Sequence, residues 1–139
     1  MQTMILSFLI VGFGGAIGAM ARFGITMATL RYSSLVPIGT LLSNVLGCFI
    51  MGIVVQMLAR ITWFAEGGIV TDHNRLLFAV GFCGAFTTLS ALVLEMSTMM
   101  QRNDVSLAFA YLVITLIGGF AAFHAGAVLL RLLSQTQGG

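Results

Sequence analysis

The chain has 139 residues, of which 59% are hydrophobic and only 7% charged. An ordinary soluble domain carries about 25% charged residues, and a domain this small cannot hide so much apolar surface. A soluble globular enzyme is therefore excluded, as are a disordered chain and, with two cysteines, a disulfide-stapled secreted scaffold; an integral membrane protein remains.

A spanning helix needs about 20 apolar residues, because the hydrocarbon core is about 30 Å thick and each residue rises about 1.5 Å. Four stretches, about 4–30, 37–59, 76–100 and 105–131, satisfy this, which predicts an all-α membrane protein with a single four-helix transmembrane domain over 1–139. Charged residues fall almost wholly between the stretches, at Arg31, Arg60, Glu66, Asp72, Arg75, Arg102, Asp104 and Arg131.

The first span holds Gly14 and Gly18 in a GxxxG pattern, which lets helix backbones approach closely in lipid. Ala19-Met20-Ala21 has the look of a signal-peptidase site, but no basic residue precedes Arg22, so the segment is expected to stay as a span. Arg22 interrupts an otherwise apolar run; it either snorkels to the interface or lines an aqueous vestibule and concentrates anions. The second span begins at Pro37, a residue tolerated at a helix's first turn. Thr40, Ser43, Asn44 and Gly47 then fall on one helix face. Asn44 lies roughly 10 Å along the helix from Pro37, and a buried amide must find partners. Two readings stay open: an amide serving an ion path, or a helix–helix hydrogen bond.

In the 60–75 connection, Trp63 and Phe64 read as interface anchors, and Asp72 and His73 as residues of a solvated loop. The third span carries Gly81-Phe82-Cys83-Gly84-Ala85-Phe86-Thr87-Thr88-Leu89-Ser90. Glycine lowers helix propensity and threonine hydroxyls compete for backbone hydrogen bonds, so this segment is expected to break the helix in mid-membrane. A broken helix frees carbonyls that suit a cation and amides that suit an anion. Glu95 follows the apolar run and reads as its boundary. In the fourth span Gly118, Ala122 and Gly126 repeat small residues, Tyr111 and Thr115 share a face, and His124 is expected to rest on a backbone carbonyl. Cys48 and Cys83 read as small hydrophobes.

With four spans, Arg60, Arg75 and Arg131 fall on one side of the membrane and Arg22, Arg31 and Arg102 on the other; there is no lysine. Orientation follows a Lys/Arg excess on the cytoplasmic side. An even split gives no such instruction and points to insertion in both orientations, whose natural product is an antiparallel homodimer in the lipid bilayer. The few basic residues suggest no nucleic-acid partner.

In order and spacing the chain resembles the CrcB/Fluc family of small bacterial fluoride channels. The resemblance is carried by Gly14-Gly15-Ala16-Ile17-Gly18 with Arg22, Pro37-Ile38-Gly39-Thr40-Leu41 with Asn44 and Gly47, Gly81-Phe82-Cys83-Gly84 with Thr87-Thr88-x-Ser90 and Glu95, and Gly118-Gly119. It implies a multi-pass protein of the bacterial inner membrane, a dual-topology homodimer with two pores, and passive efflux of the fluoride ion. It also implies a structural, non-transported Na+ held by backbone carbonyls of Gly84 and Thr87. Asn44, Ser90, Thr88, Tyr111 and Thr115 are implied along the anion path, and Arg22 in the vestibule. One departure stands out: the family's two pore-lining phenylalanines correspond to Leu89 and Leu92, while Ala91, Gly119 and Phe123 stand where hydroxyls are common. Phe82 or Phe86 are the candidates to replace those rings, and a second, paralogous subunit is an alternative source of them. A proton-coupled multidrug exporter, also small and four-spanning, would need a membrane-embedded carboxylate; the first span has none. No nucleophile–base pair suggests an enzyme.

Overall fold

Each of the four apolar runs is helical in the computed structural model, which describes residues 2–33, 35–64 and 73–135, those of 60–64 by backbone alone. The readings of Trp63, Phe64 and Asp72 lie outside the described side chains. Helix α1 spans Gln2–Thr29 and ends in a 3₁₀ turn, Leu30–Tyr32. Helix α2 spans Ile38–Phe64, directly after Pro37. Arg75–Cys83 is wound as a π-helix and passes into one α-turn, Gly84–Phe86; together these form α3. Helix α4 is Leu89–Gln101 and α5 is Val105–Gln135. Among the described residues, four segments are long and apolar enough to cross a membrane: Gln2–Tyr32, Ile38–Ala59, Arg75–Gln101 and Val105–Gln135.

Close backbone packing sets the arrangement. A Cβ on Gly14 would strike the Leu77 carbonyl, and one on Gly18 the Phe82 carbonyl. The GxxxG of α1 therefore seats directly on the backbone of α3, as a small-residue row permits. The π-winding widens α3 here: the Gly84 N–H reaches the Ala79 carbonyl five residues back. Helices α2 and α5 meet in the same way, Gly52 against the Phe123 carbonyl and Gly126 against the Phe49 carbonyl.

The α4–α5 turn is closed by capping. Asn103 adopts the left-handed conformation, φ 65°, which asparagine tolerates better than most residues. The Asp104 N–H bonds to the Met99 carbonyl and the Asn103 N–H to the Met100 carbonyl, both at 3.0 Å. These are the two bonds of a Schellman cap. The turn holds α4 antiparallel to α5, and Leu92, Met99, Ala108 and Tyr111 form a buried cluster between them. Outward faces are apolar: Phe8 is 72%, Phe13 65% and Ile117 65% exposed. Such faces suit lipid or a second protein rather than water.

Candidate functional site

The polar face of α2 receives the interruption between α3 and α4. Thr87 (φ −89°, ψ 156°) and Thr88 (φ −153°, ψ 124°) are both extended, so the helix that begins at Arg75 stops at Phe86 and restarts at Leu89. Asn44 bridges the gap. Its Oδ1 accepts the Thr88 N–H at 2.8 Å and its Nδ2 donates to the Thr88 carbonyl at 3.2 Å. The amide therefore replaces the helical partners that Thr88 lacks. Gly47, one turn along α2, leaves room for the Thr87 methyl and the Phe86 ring; a Cβ there would strike both.

Thr88 also starts α4. Its hydroxyl accepts the Ala91 N–H at 3.3 Å and shares a hydrogen bond with the Ser90 hydroxyl at 3.1 Å. This N-cap satisfies one of the orphan donors of the helix start. The same bonds have a consequence at the end of α3. In a continuous helix the Thr88 N–H would bond to the Gly84 carbonyl and the Ala91 N–H to the Thr87 carbonyl. Here Asn44 and the Thr88 hydroxyl take those donors, leaving both carbonyls without their helical partners. Neutral oxygens at the negative end of a helix are the donor set that sodium sites in broken membrane helices use, so Gly84 and Thr87 fit the ion that the resemblance implies. Gly84 is exposed.

Arg22 addresses the same helix end. Its Nε donates to the Ala85 carbonyl at 3.2 Å, a favourable place for a cation at a helix C-terminus. The guanidinium is half-buried against α3, so its charge stands beside the interruption.

A groove of about 460 Å³ opens next to it, lined by Asn44, Thr88, Leu89, Thr115, Phe120 and Phe123 among others. Leu92 also contributes while only 2% exposed, whereas Leu89 is 69% exposed. The site residues expected from the sequence thus divide. Asn44, Thr87, Thr88 and Thr115 meet at the groove. Ser90 is exposed beside Thr88 and outside the lining. Tyr111 shares a face with Thr115 yet reaches elsewhere: Thr115 donates to the Tyr111 carbonyl at 2.7 Å, and the Tyr111 hydroxyl donates to Glu95 Oε2 at 2.7 Å. Phe82 and Phe86, the sequence-level candidates for replacement rings, stack on each other at 5.4 Å, and neither lines the groove.

Sequence reasoning missed the grouping around Glu95. Helix α4 continues past it to Gln101, so Glu95 lies inside the helix rather than at its boundary. The Thr40 hydroxyl donates to its Oε1 at 2.5 Å and the Tyr111 hydroxyl to its Oε2. One carboxylate thus ties α2, α4 and α5 together. The available signal was the apolar run Met96-Ser97-Thr98-Met99-Met100, which carries the helix another turn and a half. His124 rests on the Phe120 carbonyl at 2.9 Å, as expected.

Residues 9–127 match the family model described as CrcB-like protein, Camphor Resistance (CrcB). A protein of Francisella philomiragia subsp. philomiragia named fluoride-specific ion channel FluC is 37% identical over 121 residues, covering 87% of this chain and 92% of its own. Its namesake in Prosthecochloris aestuarii is 35% identical over 134 residues, 96% of this chain and 100% of its own. In Francisella tularensis subsp. holarctica the protein of the same name is 39% identical over 107 residues, 77% of this chain and 95% of its own. A match that runs from α1 into α5 and takes in the interrupted helix, its Asn44 clamp and the groove makes this chain a member of the CrcB family.

Proposed function

We propose that the chain is a fluoride channel that lets fluoride leave the cytoplasm passively across the bacterial inner membrane. The observation that carries this reading is the interrupted helix clamped by Asn44 beside a groove, in a chain whose relatives are named fluoride-specific ion channels. Irregular backbone is tolerated at membrane depth only where protein or a water-filled cavity surrounds it, and an interruption lodged against a polar face of α2 meets that condition. In this reading the whole chain forms one domain and the break lies at mid-membrane.

Two copies pack antiparallel, each inserted in its own orientation, which agrees with the even division of arginines between the two sides. Gly84 is exposed, so an antiparallel copy brings a second pair of Gly84 and Thr87 carbonyls to the first. These carbonyls would hold the sodium ion. When bound it supplies positive charge against the negative ends of the two α3 helices; it is not transported.

Arg22 raises the local anion concentration at the vestibule. Asn44 keeps one Nδ2 hydrogen for the anion after its bond to Thr88, since an amide nitrogen carries two. The Thr88 and Ser90 hydroxyls share one hydrogen bond, which leaves one of their hydrogens for the anion, Thr115 lines the same groove, and Tyr111 orders the adjoining carboxylate of Glu95. Expression of the chain in a bacterium lacking its own fluoride exporter tests the function. Growth in fluoride should be restored; growth as poor as that of cells with an empty vector would overturn the reading.

A further inference from the structure

A second cavity, of about 260 Å³, lies farther along α4, where Ser33 and Pro37 of the α1–α2 connection line it together with Glu95, Thr98, Met99 and Arg102. It follows the groove on the same helix: Leu92 lines the groove, and Glu95, one turn on and so on the same face, lines the cavity. Tyr111 joins the two. Its carbonyl accepts the hydroxyl of Thr115, which lines the groove, and its own hydroxyl donates to Glu95. Arg102 caps α4 roughly 20 Å by helix rise from Thr88. Half the hydrocarbon core is about 15 Å thick, so with the interruption at mid-membrane the Arg102 end of the cavity reaches water.

The hydroxyls of this cavity have no hydrogen left for an anion. Ser33 donates to the Thr29 carbonyl and Thr98 to the Leu94 carbonyl, both at 2.9 Å. The hydroxyl hydrogens of Thr40 and Tyr111 go to Glu95. Both Glu95 oxygens accept, as those of an ionised carboxylate do. The side-chain donor that remains in the lining is the Arg102 guanidinium. Arg102 is exposed, and among the described residues none accepts a hydrogen bond from its side chain. With Arg102 the lining carries one positive and one negative charge; without it the carboxylate stands alone and repels an approaching anion. A cation also suits the C-terminal end of a helix, which accounts for an arginine at this position but not for its place on the cavity wall.

We propose that this cavity is the water-side mouth of the permeation path and that Arg102 draws fluoride into it by offsetting the charge of Glu95. The inference deepens the channel reading and rests on it. It gives two arginines different places: Arg22 stands beside the helix interruption, whereas Arg102 acts where the path meets water. Arg31 is exposed in the 3₁₀ turn and lies outside the lining, so it serves as the control for a charge on the same side of the membrane.

The test uses the full chain in liposomes loaded with dilute fluoride, with release followed by a fluoride electrode. An impermeant salt is present on both sides at low or at high concentration. The Debye length is about 30 Å at about 0.01 M and about 3 Å at about 1 M, so attraction by an exposed charge acts at low salt and is lost at high salt. Arg102→Gln should release fluoride roughly three- to tenfold more slowly than the wild type at low salt, and at nearly the wild-type rate at high salt. Arg102→Lys keeps the charge and Arg31→Gln removes one away from the cavity; both should stay near the wild type. A merely structural role at the helix end would slow Arg102→Gln by the same factor at both salt concentrations. That result, an unchanged rate at low salt, or equal slowing by Arg31→Gln overturns the assignment and leaves the channel reading intact. If Arg102→Gln is not monodisperse, Thr98→Asp decides: a second carboxylate on the wall should slow release at low salt alone, and release at the wild-type rate overturns the assignment. A wild-type chain that releases no fluoride overturns the channel reading, and this assignment with it.

Discussion

Asn44 uses its side chain as a neighbouring peptide would, giving Thr88 both an acceptor and a donor. The sequence left two readings of this amide, an ion-path group or a helix–helix hydrogen bond. The clamp on Thr88 is the second, and the hydrogen it leaves unused keeps the first available. Asn44→Ala would strand the Thr88 N–H and carbonyl, at a cost of about 1–3 kcal/mol. A lower midpoint of thermal unfolding in detergent is expected, together with reduced fluoride release. Asn44→Asp keeps the acceptor and loses the donor, so its midpoint should lie between the two. Glu95 depends on the same kind of support. Tyr111→Phe removes the hydroxyl that donates to Oε2, and a bond to a charged group is worth about 1.5–3 kcal/mol. Its loss should also show as a lower midpoint. This grouping was illegible in the sequence because its members lie on three helices, and neither Thr40 nor Tyr111 signals a carboxylate partner by its neighbours.

At the scale of elements, the four spans were readable because hydropathy is a local property and charges mark the ends. The interruption was also readable: glycine and threonine crowded into one apolar stretch weaken a helix wherever they occur. The π-winding of α3 was not, since a bond to the fifth residue back leaves no compositional mark and follows from how α3 meets α1. That contact makes a sharp prediction. Gly18→Ala places a methyl against the Phe82 carbonyl, whereas Gly12 has nothing within 4 Å of an added Cβ. Gly18→Ala should force the two helices apart and lose about 1–3 kcal/mol. Gly12→Ala should match the wild type or exceed it slightly, since alanine is the better helix former. Thermal unfolding of the two variants side by side checks both.

For the whole molecule, sparse charge first excluded a soluble protein and then, by its even division, pointed to insertion both ways. A reporter fused to the C-terminus should give signal on both sides of the membrane; signal confined to one side would contradict the antiparallel pairing. The exposed Gly84 and the open groove are features of one chain that a second chain would complete; the arginine split points to the orientation of such a pair and not to the residues that would meet across it. The proposed selective conduction of fluoride needs no second kind of chain. It is tested most directly by loading liposomes that contain only this purified chain with equal fluoride and chloride, and following both ions after a potassium ionophore is added. Rapid loss of fluoride with chloride retained is expected. Fluoride release no faster than from protein-free liposomes, or equal release of both ions, would contradict it.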